Sequence, residues 1–147
     1  MSLITASHNP PLAVAPDTTV FDACSKMKER GVGAVAVISP DNTPVGIFTE
    51  RDVIYKVVTA GLDPSSTTLK QVMTSPCLAI PTDRTPHDAL AVMVAKNVHH
   101  LALIDDQRKL IGMVSYRTLM REQLETLNAE VDHLSAYMGK EDEIGGD

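Results

Sequence analysis

The feature that most narrows what this chain can fold into is an internal repeat. Residues 17–54 lie on residues 83–120 at a constant offset of 66, without a gap. Ten of the 38 pairs are identical: Asp17/Asp83, Thr19/Thr85, Asp22/Asp88, Ala23/Ala89, Met27/Met93, Val32/Val98, Ala36/Ala102, Ile38/Ile104, Gly46/Gly112 and Arg51/Arg117. Composition alone accounts for about two or three. Two copies of one unit imply a pseudo-two-fold, with the cleft between the copies as the place to look for function.

Each copy opens with an extended, proline-bearing stretch, Leu12 to Pro16 and Leu78 to Pro81, where the proline slips by one residue. Thr19 with Asp22, and Thr85 with Asp88, have capping-box spacing and predict helix starts. Val20, Ala23, Cys24 and Met27 form the apolar stripe of the first helix, and Ala89, Leu90, Met93 and Val94 that of the second. Gly31 and Asn97 stand where C-terminal caps belong. Near-continuous apolar runs follow, Ala34 to Ile38 and Leu101 to Ile104, as in strands covered on both faces. After turn-rich connections come second strands, Val45 to Thr49 and Ile111 to Ser115. The first copy then enters a helix from about Glu50 to Ala60 that stops at Gly61. Leu62 to Thr68 reads as a linker around Asp63-Pro64-Ser65-Ser66, followed by a short helix at about 69–73.

The expectation is an α+β fold of two β-α-β-β-α repeats, residues 8–66 and 67–125. Residues 126–147 add a helical extension and an acidic tail from Lys140. The last helix runs on through Met120, Leu124, Leu127, Val131, Leu134 and Met138, alternating in steps of four and three. That is an a/d seam, for packing on the chain's own core or for association with a second copy or a partner.

A net charge of −6 without a basic run argues against a non-specific nucleic-acid or anionic-membrane surface, while a local basic pocket stays open. Cys24 and Cys77 are expected to be reduced structural thiols. No signal peptide or transmembrane run is visible, so a cytoplasmic protein is expected.

Gly46-Ile47-Phe48-Thr49-Glu50-Arg51-Asp52 lies where a strand turns into a helix. Such a junction offers a hydroxyl and free backbone N–H groups to an anion. The Asp52 carboxylate can accept from a vicinal diol, and Arg51 offers a donor fork for phosphate. Equally, Thr49 caps the helix and Asp52 complements its dipole. Spacing alone leaves both readings open.

The pattern Gly-hydrophobic-x-Thr/Ser-x-x-Asp, placed after a proline-bearing strand and a capped helix, resembles the CBS domain. Two in tandem resemble a Bateman module, and the likeness covers residues from about 10 to 125. The resemblance implies two clefts that take adenosine-containing ligands. These are AMP, ADP, ATP, S-adenosylmethionine or NAD-type molecules. It places Asp52 on the ribose hydroxyls, Thr49 near ribose and phosphate, and Ile47 and Leu78 against adenine. It sets His99 and His100 toward the phosphates. Strand alternation sends neighbouring residues to opposite faces, so these histidines do not chelate one metal. One is expected at the cleft and the other at a protein surface.

The second motif, Gly112-Met113-Val114-Ser115-Tyr116-Arg117-Thr118, keeps Ser115 and Arg117 but has Thr118 in place of the carboxylate. Losing a charge-assisted hold on the diol weakens binding about ten- to a hundred-fold. The wall of this cleft is expected near Val14, with Gly33 at the position of His99. The expectation is one competent site around Asp52 and one weak or empty site near Thr118.

No nucleophile, metal or phosphate-loop motif indicates an enzyme. The leading expectation is a regulatory, signal-transducing module that binds an adenine nucleotide, works as a homodimer and signals to an effector protein. The alternative is an interaction module with degenerate clefts acting through its C-terminal helix.

Overall fold

The computed structural model describes residues 2–7 and 10–144, with side chains as far as 139. The elements run α1 (Leu3–Ala6), β1 (Ala13–Val14), α2 (Val20–Arg30), β2 (Ala34–Ile38), β3 (Pro44–Thr49) and α3 (Glu50–Asp52). A π-helical segment, Val53–Val58, continues α3. Then follow α4 (Leu69–Val72), β4 (Ala79–Pro81), α5 (Pro86–Lys96), β5 (His100–Ile104), β6 (Leu110–Ser115) and α6 (Tyr116–Ile144).

Each repeat builds a three-stranded sheet, β1-β2-β3 and β4-β5-β6. The first pair in each is parallel and the second antiparallel. The register repeats at the sequence offset: Ala13 faces Ala36, and Ala79 faces Ala102. Only the proline slips between copies, not the strand.

Strand alternation separates three layers. Val35, Val37 and Phe48 join Val20, Ala23 and Met27 of α2 in one core. Leu101, Leu103 and Val114 join Ala89 and Met93 of α5 in a second. The opposite faces, with Ala34, Ala36, Ile47, Ala102, Leu110 and Met113, form a third cluster between the sheets. Three alanines there let two sheets approach closely. Burial in and beside these layers raises the Cys77 thiol to about 11 and also raises that of Cys24.

The predicted caps form. Thr19 and Thr85 accept from the N–H groups of Asp22 and Asp88 at 3.2 and 3.1 Å. Gly31 and Asn97 close their helices at φ 64° and 52°. The unpredicted α1 is the counterpart of α4 at the same offset. Leu3 is fully buried in the second repeat's core and Leu69 in the first's. Each repeat is therefore completed by the short helix that precedes the other.

α6 does not fold back. Leu124, Leu127, Val131, Leu134 and Met138 remain 53–63% exposed, so packing on the chain's own core is ruled out for them. The helix continues to Ile144, and residues 145–147 of the expected acidic tail lie outside the described residues.

Candidate ligand cleft between the repeats

β3 ends and α3 begins at Thr49, and both halves of a capping box are made there. Thr49 Oγ1 accepts from the Asp52 N–H at 3.3 Å, and Asp52 Oδ2 accepts from the Thr49 N–H at 3.0 Å. The nearly buried carboxylate has two further donors. Lys56 Nζ lies 3.2 Å from Oδ1, and Thr74 Oγ1 donates at 3.2 Å. Lys56 Nζ also donates to Thr74 Oγ1 at 3.0 Å.

Thr74 is placed by its backbone. It pairs with Ile47 through hydrogen bonds of 3.0 and 2.8 Å, which lay the linker against β3. This approach explains the motif glycine. A Cβ on Gly46 would lie 2.5 Å from Met73 Sδ and 3.1 Å from the Thr74 carbonyl oxygen. Gly112 is constrained in the same way, by Ser7 after α1.

All seven residues expected at the first site, Ile47, Thr49, Arg51, Asp52, Leu78, His99 and His100, line one cavity of about 370 Å³. Ile47 from one repeat and Leu78 from the other give it apolar walls. Thr49, Thr74 and Asp52 give it a polar edge. Arg51 Nη1 donates to the Asn97 carbonyl at 3.2 Å, crossing to the C-terminus of α5. The His99 ring lies against Tyr116, centroids 5.5 Å apart, and the Tyr116 N–H donates to the His99 carbonyl at 2.8 Å.

The capping reading of Asp52 is thus met, and it limits what a diol could find there. A carboxylate has about four lone-pair positions, and three donors already use it. A diol that needs two positions must displace one donor. The Thr49 N–H and Thr74 are held by backbone. Lys56, 41% exposed on a flexible stem, is the donor free to leave.

The second cleft departs from expectation. Ser115, Arg117 and Thr118 line a larger cavity, about 900 Å³, together with Gly33, Lys28 and Arg121. Val14 is not on it. Two residues further along the strand than Leu12, Val14 is buried in the first repeat's core, and Leu12 is the residue of β1's approach that packs beside Val32, Ala34 and His100. This cleft was also expected to lack carboxylate and histidine, yet Glu50 and His100 border both cavities. Without a Cβ, Gly33 leaves space that the Glu50 carboxylate occupies. Strand alternation turns His100 away from His99 and into the partition between the clefts, so neither histidine faces an outer surface alone. Ser115 caps α6 by accepting from the Thr118 N–H at 3.2 Å, and Thr118 cannot return the carboxylate half of the box.

Sequence reasoning missed Lys56, Thr74 and Glu50. Lys56 had a legible signal, the i,i+4 spacing from Asp52. Thr74 had none, because only the folded linker brings it to Asp52.

The sequence model of the CBS domain matches residues 4–59 and again 69–125. The chain belongs to the CBS-domain family. An uncharacterized protein of Methanopyrus kandleri is 33% identical over 107 residues, which are 73% of this chain and 55% of that protein. The chain likewise spans 66% of a relative from Acidianus ambivalens, so it covers about half to two thirds of such relatives. A CBS domain protein of Pyrobaculum aerophilum solved with AMP has the same fold, at TM-score 0.74 and 20% identity, covering 80% of this chain and 89% of that one. A CBS domain pair solved with 5′-methylthioadenosine and S-adenosyl-L-methionine matches at TM-score 0.77 and 17% identity, covering 86% and 98%. The chain is thus a tandem CBS pair with an extended last helix. No helix among the described residues is long and apolar enough to cross a membrane. No cluster of three or more metal-ligating side chains occurs among them.

Proposed function

We infer that this CBS pair is a non-catalytic, cytoplasmic sensor. It binds an adenine nucleotide in the cavity of Asp52 and signals to an effector protein. The observation that carries this reading is the convergence of both repeats on one cavity with apolar walls, a nearly buried carboxylate and two histidines at its rim. Its volume lies within the ordinary range for small-molecule sites. The AMP complex of the Pyrobaculum protein supports the ligand class.

Adenine would sit between Ile47 and Leu78, and a ribose hydroxyl on Asp52 as Lys56 leaves. Phosphates would face Arg51, His99 and His100. Those three donors favour a phosphate-bearing ligand, AMP, ADP or ATP, over a bare nucleoside or the sulfonium cation S-adenosylmethionine. A ligand shifts the arrangement of the repeats only by its difference in affinity for the two arrangements. Tyr116, in contact with His99, is the first residue of α6 and the nearest route to an outside reader. Calorimetric titration with AMP, ADP, ATP, NADH and S-adenosylmethionine tests this. Absence of binding by all five at physiological concentration refutes the sensor. Incubation with ATP is expected to give no product.

The second reading is an interaction module in which the clefts are silent and α6 makes a homodimer or captures a partner. The exposed seam favours it. Nucleotide binding separates the two readings: in the second it is absent from the whole chain, while removal of residues after Leu124 abolishes association; in the first the truncated chain still binds nucleotide.

A further inference from the structure

We propose that α6 pairs with α6 of a second copy as a parallel two-stranded coiled coil over Leu124–Met138. This rests on the self-association reading of the helix and specifies its geometry. The five seam residues return every three or four positions and face solvent along about 22 Å of helix. A seam that keeps the 3.5-residue period meets an identical seam along its whole length, whereas a globular partner needs no such period.

The positions fix the geometry further. Leu127 and Leu134 occupy one core position of the heptad, and Leu124, Val131 and Met138 the other. In a parallel coil, leucine at d with the β-branched Val131 at the central a favours two strands over three or four. The flanks agree. In parallel register the seam is bordered by Gln123 against Asn128 and Glu130 against Ser135 of the second copy, without like charges. The antiparallel register of full overlap sets Glu130 against Glu130. The remaining charges, Glu125 and Asp132, lie away from the seam. Each seam side chain exposes about 100 Å², so two copies bring up to about 1,000 Å² from the seam, the lower edge of a specific interface.

The test uses the full chain. Light scattering over a dilution series is expected to give a dimer mass that halves in Leu127→Glu/Val131→Glu. Both positions lie outside the cores of the two repeats, so the variant remains a folded monomer with a cooperative melting transition, while α6 loses the helicity and melting temperature that pairing adds. Orientation is read from a single cysteine, Leu134→Cys, with Cys24 and Cys77 replaced by alanine. Parallel pairing sets residue 134 against itself, and mild oxidation then gives a covalent dimer. A monomeric wild type overturns both self-association and the coil. A dimer that survives the double glutamate variant overturns the coil alone. Cross-linking only when Leu127→Cys and Val131→Cys chains are mixed overturns the parallel register.

Discussion

Replacing Asp52 should affect stability and binding separately, and the structure sets both magnitudes. In Asp52→Ala the Thr49 N–H loses its cap, at about 1 kcal/mol. The Thr74 hydroxyl loses a charged acceptor, at about 1.5 kcal/mol. Lys56 is 41% exposed and returns to water, so its pair adds no more than about 0.5 kcal/mol. The expected loss is about 2–3 kcal/mol in urea denaturation. Asp52→Asn keeps a capping oxygen and should lose about half as much. Both variants lose the charged hold on a ribose hydroxyl, weakening nucleotide binding about ten- to a hundred-fold. Ligand at 100 times the wild-type Kd stabilises that protein by about 2.7 kcal/mol, and a variant bound 30-fold more weakly by about 0.9. In a domain of this size the gap is about 4–7 °C of ligand-induced melting shift. Calorimetry gives the same ratio directly. If Asp52→Asn shifts as far as wild type with AMP or ATP, the carboxylate does not touch the ligand, and the site assignment is refuted. If Asp52→Ala denatures like wild type, the capping role is refuted instead.

Gly46→Ala should cost about 1–3 kcal/mol in urea, since the linker backbone at Thr74 must move. Gly31→Ala meets no neighbour and should cost only the roughly 1 kcal/mol of its left-handed backbone. Lys56→Met removes the donor that competes for Asp52 and should tighten adenosine binding up to about ten-fold by calorimetry; weaker binding would show that Lys56 orients the carboxylate rather than blocks it. Thr118→Asp restores the missing half of the second box and should raise the calorimetric stoichiometry from one nucleotide to two. The Thr85 N–H and hydroxyl hold the Asp88 carboxyl below its ordinary 3.8. Its contribution is present above that value and lost as pH falls through the lower, folded one, so Asp88→Asn should flatten the acid limb of stability below about pH 4.

Much of the fold is legible because each local signal is backed by its counterpart 66 residues away. The capping threonines, the paired C-caps and the alternation that sends Val35 to one layer and Ala36 to another are all written within a few residues. α1 was not legible, because Leu3 and Ala6 make too short a pattern to read as a helix, and its reason for existing is a core built by the other repeat. The same limit explains the site. Residues of the motif itself fell where expected, since strand and cap geometry carry Ile47, Thr49 and Asp52 together. Val14 failed although the signal was present: the offset of 66 sets Leu78 on Leu12, and Val14 lies two residues further along the same strand face.

The second cleft carries the larger lesson. Comparing the copies position by position subtracts Asp52 and His99 from it and leaves a vestige. The folded chain gives Glu50 and His100 to both clefts, so the carboxylate and the imidazole removed by that subtraction are returned by neighbours. The asymmetry is therefore one of kind as well as strength. One cleft holds a capped carboxylate between apolar walls from both repeats. The other is wider and sets Lys28, Arg117 and Arg121 around a hydroxyl pair, with Ser115 Oγ 2.9 Å from Thr118 Oγ1. A ligand that reorients Glu50 or His100 from one side changes the wall of the other, so titrations of the two clefts should not be independent.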